Sequence, residues 1–493
     1  MKTTSKPLGY TICQENGWSF EEVFRQQYRI SKSADKRGKI STKWNTVRLG
    51  DWTLEHCKTL PLTRIKNAAG KPIGLVLGVA ITPQGECLGK TATIKQDLEG
   101  WIEALAGRYV VLIVEGKEAK LYQDPSGNLS TVFNAADATI AASVTLAIED
   151  AVQPHTTIAA EDVVDKKEKF LFGETSDIRV TRAQPNHFLD LNTFTQTRHW
   201  PREDTEFATL DQERIATFTE FSDKIRDNVT ALIKSFSCAL PITAGRDSRI
   251  ILASAASVLD QVKAFYCYEL NTATRKDVKG SAPLAQHLGI PFQIISRKCR
   301  RLMSKLPKNF MDEEHRKMLL RTGWCYHMRA DWGPFIAVSP RTEVVLRGTG
   351  IEMTRANKWN NNNANRPCSA TIGLYTLTGL RPNRKRNETD EARYQSLLGR
   401  YQTWMSSLPA TAQARTYDLA HIELMLPAGP VLEYSAYVSD FMVNPINDRR
   451  LYQLAAGVAP RARLRGALVD KIISRSCPSI RKFPYFAEIS LKK

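Results

Sequence analysis

The residues best suited to chemistry lie in one stretch, Phe236-Ser237-Cys238-Ala239-Leu240-Pro241-Ile242-Thr243-Ala244-Gly245-Arg246-Asp247-Ser248-Arg249. An apolar run ends in small and hydroxyl residues, then Asp247-Ser248, then the periodic segment Ile250 to Leu259. The pattern predicts a buried strand, a tight turn and the N-terminus of a helix. Backbone N–H groups at such a turn lack internal partners, and the helix dipole favours an anion there. A nucleotide's phosphates would sit over Thr243 to Ser248, with Asp247 holding a metal ion.

Several elements must position that turn. Glu206 to Lys234 carries apolar residues at helical spacing, Phe207, Leu210, Ile215, Phe218, Phe221, Ile225, Val229 and Ile233, and feeds the strand before the turn. Beyond it, Val262 to Tyr266 reads as a strand, Asp277 to Gly289 as a helix and Phe292 to Ile295 as another strand. Such alternation implies a parallel sheet that binds ligands at the carboxyl ends of its strands. Glu343 to Leu346 is a further buried strand, and it delivers Arg347-Gly348-Thr349-Gly350-Ile351-Glu352 to the same edge. Thr389 to Leu408 and Ala412 to Met425 are helical. Residues 1 to about 150 read as mostly β, as in Ile73 to Ile81 and Tyr109 to Val114, and about 150 to 205 as connective.

In their order, these segments resemble the asparagine synthetase-like family. Thr243-Ala244-Gly245-Arg246-Asp247-Ser248 stands where the N-type ATP pyrophosphatases carry Ser-Gly-Gly-x-Asp-Ser, with Thr243 for Ser and Ala244 for the first Gly. Arg347 to Glu352 stands where asparagine synthetases have Ser-Gly-Glu-Gly-x-Asp and β-lactam-forming relatives Gly-Tyr-Gly-x-Asp. Asn444-Pro445-Ile446-Asn447-Asp448-Arg449-Arg450-Leu451 is similar to a Pro-Phe-x-Asp-x-x-Leu segment. Gly107-Arg108-Tyr109, Asp124-Pro125-Ser126-Gly127, Ala141-Ala142-Ser143, Ala183 to Leu189 and Arg198-His199-Trp200 resemble the order of segments in class II amidotransferase domains.

The resemblance implies an α+β, Ntn-hydrolase-like layered β-sandwich over 1–204. An α/β adenine-nucleotide α-hydrolase-like domain with a parallel sheet follows over 205–493. It implies an ATP-dependent, AMP-forming ligase that adenylylates a small-molecule or peptide carboxylate and passes it to an amine. ATP and Mg2+ are the implied cofactors. Thr243, Ala244, Gly245, Arg246, Asp247, Ser248, Arg249, Gly348 and Gly350 would hold the phosphates, Ala264 and Phe265 would lie beside the adenine, and Asp247 and Glu352 would share the magnesium. Arg246 and Arg249 replace an apolar and a small hydroxyl residue, and would take over part of the phosphate grip; the alternative for Arg249 is to point away and pair with an acidic neighbour. Thr349 replaces the residue associated with nucleophile activation. Glu433 is a candidate substrate-binding or base-orienting residue, and Lys482 a candidate for neutralising charge on the adenylate or an ordinary solvated lysine. Asp448 is either a site residue or a helix cap.

The glutaminase of class II amidotransferases uses an N-terminal cysteine. Here residue 2 is Lys, and Cys13 would need cleavage after Ile12, so the ammonia or amine is expected from elsewhere. The nine cysteines have no Cys-x-x-Cys spacing, which argues against zinc or a disulfide framework. No apolar stretch approaches a membrane span and no h-region follows Met1, so a cytoplasmic protein without membrane partners is expected.

The net charge of +18 attracts polyanions. Basic residues gather at Arg297 to Arg301, Arg381 to Arg386 and Arg461 to Arg465 without interleaved aromatics, so solvated faces are favoured over nucleic-acid binding. The Asn360 to Asn365 tract reads as unpacked, either a lid or a surface insertion. Two other functions stay open: a nucleic-acid-modifying ATP pyrophosphatase and an ATP-binding pseudoenzyme.

Overall fold

The computed structural model describes the chain except residues 1–5, 33–38, 96, 156–157, 159–162, 164–167, 208–214, 300, 302–303, 307–308, 326–332, 438, 440 and 492–493. Lys2, Leu210 and Arg300 therefore lie outside the described residues.

The first half is built on two sheets. One contains β1 (Tyr28–Lys32), β2 (Asn45–Leu49) and β3 (Trp52–His56). The second takes β4 (Leu62–Asn67), β5 (Pro72–Ile81), β6 (Thr91–Ile94), β7 (Ala106–Glu115) and β8 (Glu118–Gln123). The chain returns to the first with β9 (Val132–Asn134), β10 (Thr139–Ala141) and β11 (Thr181–Arg182), then to the second with β12 (His187–Asp190) and β13 (Gln196–Arg198). The orders are β11-β9-β10-β1-β3-β2 and β13-β12-β8-β7-β5-β4-β6. All pairs are antiparallel except β4 with β6.

Period-two alternation gives each sheet one face for the shared core, where Ile30, Leu54 and Ile140 meet Leu75, Leu77, Val110 and Leu112. Outer faces are covered by short helices: Leu8–Glu15, Phe20–Val23 and Val144–Ala147 on one sheet, Leu98–Glu103 on the other. The arrangement is α+β and layered, and the expectation of a mostly β first part holds at that level.

The second half is α/β. Its five strands, β14 (Cys238–Pro241), β15 (Ala264–Glu269), β16 (Phe292–Ser296), β17 (Val344–Leu346) and β18 (Phe441–Val443), are all parallel in the order β16-β15-β14-β17-β18. The chain steps outward from β14 to β15 and β16, then crosses back to the other side. A crevice therefore opens between the carboxyl ends of β14 and β17, where parallel α/β sheets bind ligands. Helices are found at all three expected places, but their ends differ. The one expected from Glu206 is described from Ile215 to Ser235, with Phe207 outside it. The one expected over Ile250 to Leu259 runs Arg246–Ser254, with Leu259 in a following 3-10 turn, and the one expected from Asp277 begins at Thr272 and ends at His287. Ala412 to Met425 is helical but not uniform: a 3-10 turn, an α-turn and a π-turn follow one another, the last at His421–Met425.

The Asn360 to Asn365 tract is mostly exposed, as a surface insertion would be, but it is ordered by its own side chains. The Asn360 side chain accepts from the backbone of Asn362 and Asn363, while Asn363 Oδ1 accepts from Asn360 N, and Asn363 is buried. Asparagine side chains close turns on their own backbone in this way. In the third basic run, Arg463 is buried against Asp418 and does not belong to a solvated face.

Candidate functional site

The Thr243–Ser248 turn follows β14 and is braced by its own hydroxyls. Ser248 Oγ accepts from Thr243 N at 3.1 Å and lies 2.9 Å from Thr243 Oγ1, which accepts from Gly245 N at 3.1 Å. Asp277 Oδ1 takes the Ala244 amide at 3.1 Å. Gly245 is the N-cap of helix Arg246–Ser254, and no side chain caps that helix. Amides of its first turn thus remain to meet an anion.

The methyl group by which Ala244 departs from glycine is buried on the underside of the turn. A Cβ built on Gly280 would come within 2.6 Å of Ala244 Cβ and of Ile489 Cδ1. Gly280, in the neighbouring helix, supplies the room that Ala244 uses, so the departure need not crowd the mouth of the turn.

The loop after β17 meets this turn. A Cβ on Gly348 would lie 3.1 Å from Asp247 Cβ, and Gly350, at φ +93°, leaves 2.8 Å to Tyr452 Oη. Glycine is required at Gly350 for conformation as well as space. The following 3-10 turn, Ile351–Arg355, carries two charged groups into the crevice. Glu352 Oε2 accepts from Gly350 N at 2.7 Å, and its Oε1 lies 3.0 Å from His421 Nε2. Arg355 grips Asp247 through both oxygens. Underneath, buried Arg463 pairs bidentately with Asp418 and donates to Met353 O at 2.7 Å, fixing the turn from below.

Burial raises the Asp247 pKa, Arg355 opposes the rise and the Glu352 charge adds to it. Glu352 goes the other way: burial would raise it, but the His421 hydrogen bond and charge with nearby amides outweigh that and leave it lowered. Beside them, Arg347 Nη2 binds Glu433 Oε1 at 2.7 Å, and this carboxylate raises the guanidinium pKa. Thr349 lies near the Tyr434 phenol, whose hydroxyl donates to Asn444 Oδ1 at 2.7 Å.

Other expected residues lie elsewhere. The register pairs Ala264 with Ala239 and Phe265 with Leu240. Both therefore sit in the first half of β15, below the turn, and Phe265 is in the core. Tyr266 is the β15 residue whose carbonyl meets Ile242 N, at 2.8 Å, so the strand's exposed edge begins beyond it.

Arg249 is buried and faces the C-terminal segment, donating to Phe483 O at 2.5 Å and Pro484 O at 2.8 Å with its guanidinium 4.1 Å from the Tyr485 ring centre. It points away from the turn, as one alternative expected, but its partners are carbonyls and not an acid. Phe486 N donates to Ala244 O at 3.0 Å, so this segment straps the turn. Lys482 is exposed on the strap, 5.6 Å from the Phe483 ring centre. Asp448 is a helix cap, accepting from Arg450 N and Leu451 N.

Gly107, Asp124 and Asn186, from three of the segments read in the first half, meet Asn447 and Arg449 of the second. Asn447 Nδ2 donates to Gly107 O at 2.6 Å and Asp124 Oδ1 at 2.7 Å, and Arg449 Nε to Asn186 Oδ1 at 2.9 Å. Arg108 is buried with its guanidinium 4.3 Å from the Phe441 ring centre. Cys13 is buried inside a helix, where burial pushes its thiol up to about 12.

Asp247 and Glu352 are the carboxylates that could hold magnesium. Among the described residues no group of three or more His, Cys, Asp or Glu is arranged for a metal. Mg2+ commonly takes one or two carboxylates and completes its shell with water and phosphate, so the donors fit an ion arriving with a nucleotide. Arg355 is the group such an ion would displace from Asp247. Among the described residues no helix is long and apolar enough to cross a membrane. No protein-family model matches the chain, and no curated protein matches it.

Proposed function

We propose that the chain is an AMP-forming, ATP-dependent amide ligase of asparagine synthetase-like architecture, with an Ntn-hydrolase-like first domain and no glutaminase of its own. The observation that carries this reading is the contact of Gly348 with Asp247. It brings an uncapped helix N-terminus and a glycine-rich loop with Glu352 together at the switch point of a parallel sheet. The buried Cys13 supports an amine from outside.

In this reading, the first-turn amides and Arg246 bind the phosphates, and Gly348 and Gly350 let the second loop approach them. Magnesium would neutralise phosphate charge beside Asp247 and Glu352. A substrate carboxylate oxygen attacks the α-phosphorus and pyrophosphate leaves. The amine nitrogen then attacks the acyl carbon, AMP leaves with the bonding pair, and Glu433, held by Arg347, accepts the amine proton. Arg246 and Arg355 supply the neutralising charge expected of Lys482.

Incubation with ATP, Mg2+ and a panel of carboxylates and amines should yield AMP and pyrophosphate in equal amounts. ATP binding with no AMP from any pair would favour the second reading, a nucleotide-binding pseudoenzyme, for which Arg355 seated on Asp247 is the specific support.

A further inference from the structure

A cavity of about 500 Å³ lies between the Lys169 segment and the residues from Leu377 to Leu397, sharing no residue with the Thr243–Ser248 turn. Its cationic side chains include Lys169, Arg381, Arg384, Lys385 and Arg393; its acidic ones are Glu168 and Asp390, and Arg393 pairs with Glu168. Arg381, Arg384 and Lys385 are solvated, as the charge run suggests, but the turn that carries them is held in place by Arg386. Arg386 folds inward, donating to the carbonyls of Arg381, Pro382 and Arg384 and to Glu391 Oε2, with its guanidinium 3.9 Å from the Tyr394 ring centre. Held from within, the turn presents Arg381, Arg384 and Lys385 outward, and none of these three side chains has an acidic partner among the described residues. Lys169 is partly desolvated, which lowers its pKa, and the neighbouring Glu168 charge opposes the fall.

We infer that this cavity binds an oligophosphate group. Its volume suits a nucleotide-sized ligand, since such pockets span roughly 300–1,000 Å³. An extended acidic peptide spreads its charges over as much as about 3.3–3.6 Å of chain per residue, whereas an oligophosphate concentrates them. Guanidinium forks match phosphate oxygens bidentately, and Thr378 lines the same cavity. The inference is independent of the ligase reading.

Titration calorimetry of the full chain with inorganic triphosphate, without metal, tests it. Arg384→Ala/Lys385→Ala changes exposed side chains and should weaken binding about tenfold or more. Arg246→Ala, at the other site, should leave this binding event in place. Equal affinity in wild type and the double variant, or no binding by wild type at low salt, overturns the inference. So does equal competition by an oligoglutamate of the same charge. A triphosphorylated RNA oligomer that binds more tightly than inorganic triphosphate would support it with RNA as the source; equal affinity would support a free phosphorylated ligand.

Discussion

Arg355 closes on Asp247 with both sides of its guanidinium, Nε to Oδ1 at 3.0 Å and Nη2 to Oδ2 at 2.8 Å, joining the two loops that flank the crevice. A cation already stands where a metal ion would be sought. Both side chains are about a third exposed, so the pair can exchange with water and ligands.

The first prediction concerns this exchange. Asp247→Asn should weaken Mg2+-dependent ATP binding about tenfold, equivalent to about 1.4 kcal/mol, while Arg355→Ala should strengthen the response to Mg2+. Titrating Mg2+ at fixed ATP reads both effects. The same Mg2+ response in wild type and both variants would rule out Asp247 as a ligand.

The two loop arginines should separate cleanly. Arg249→Ala removes charged donors from two strap carbonyls, each such bond contributing about 1.5–3 kcal/mol. It should lower the unfolding midpoint and speed tryptic cleavage at Lys482. Arg246 has its guanidinium 5.1 Å from the Tyr485 ring centre but, among the described residues, donates to no strap carbonyl. Its change to Ala should cost less stability and weaken ATP binding. Reversed effects would show that Arg249 leaves the strap for the phosphates.

Gly280→Ala should cost about 1–3 kcal/mol, because its new methyl meets Ala244 Cβ and Ile489 in a filled space. Ala244→Gly should recover part of that loss when combined with it. A double-mutant cycle in urea measures the coupling, and additive losses would mean that the two positions do not share one space.

Acid should loosen the joint between the halves at Glu423. This buried carboxylate receives Arg198 at 2.7 and 3.0 Å and Trp404 Nε1 at 2.9 Å. Burial would raise its pKa, but Arg198 and its other partners leave it lowered. Its stabilisation is therefore present above the ordinary value of 4.5 and is lost as pH falls through the lower folded value. Glu423→Gln should cost about 3 kcal/mol at neutral pH, as breaking a buried pair does, and flatten the acid limb of the melting curve. An unchanged acid limb in that variant would place the acid sensitivity elsewhere.

The sequence made the parallel strands legible because β14, β15, β16 and β17 are short apolar runs separated by helical periodicity, and Thr243 to Ser248 falls where those runs predict a turn. It could not show that Asn447 and Asp124 touch, because hydrogen bonds across 323 residues leave no periodic trace. His421 was missed for the same reason: a single histidine in a helical segment gives no sign that a π-turn aims it at Glu352. Arg355 stands in plain view three residues after Glu352, yet only the fold shows that it faces Asp247. The shift from Ala264 and Phe265 towards the later residues of β15 is a matter of register, which apolar content alone does not set.

The strap also imposes an order on biosynthesis. When the ribosome has completed Arg249, the carbonyl of Phe483 lies 234 residues ahead. Until that segment emerges, the arginine's charge must stay hydrated or find a temporary partner, and Ala244 O lacks the Phe486 amide. The turn that begins the parallel domain is therefore among the last parts of it to reach its final surroundings.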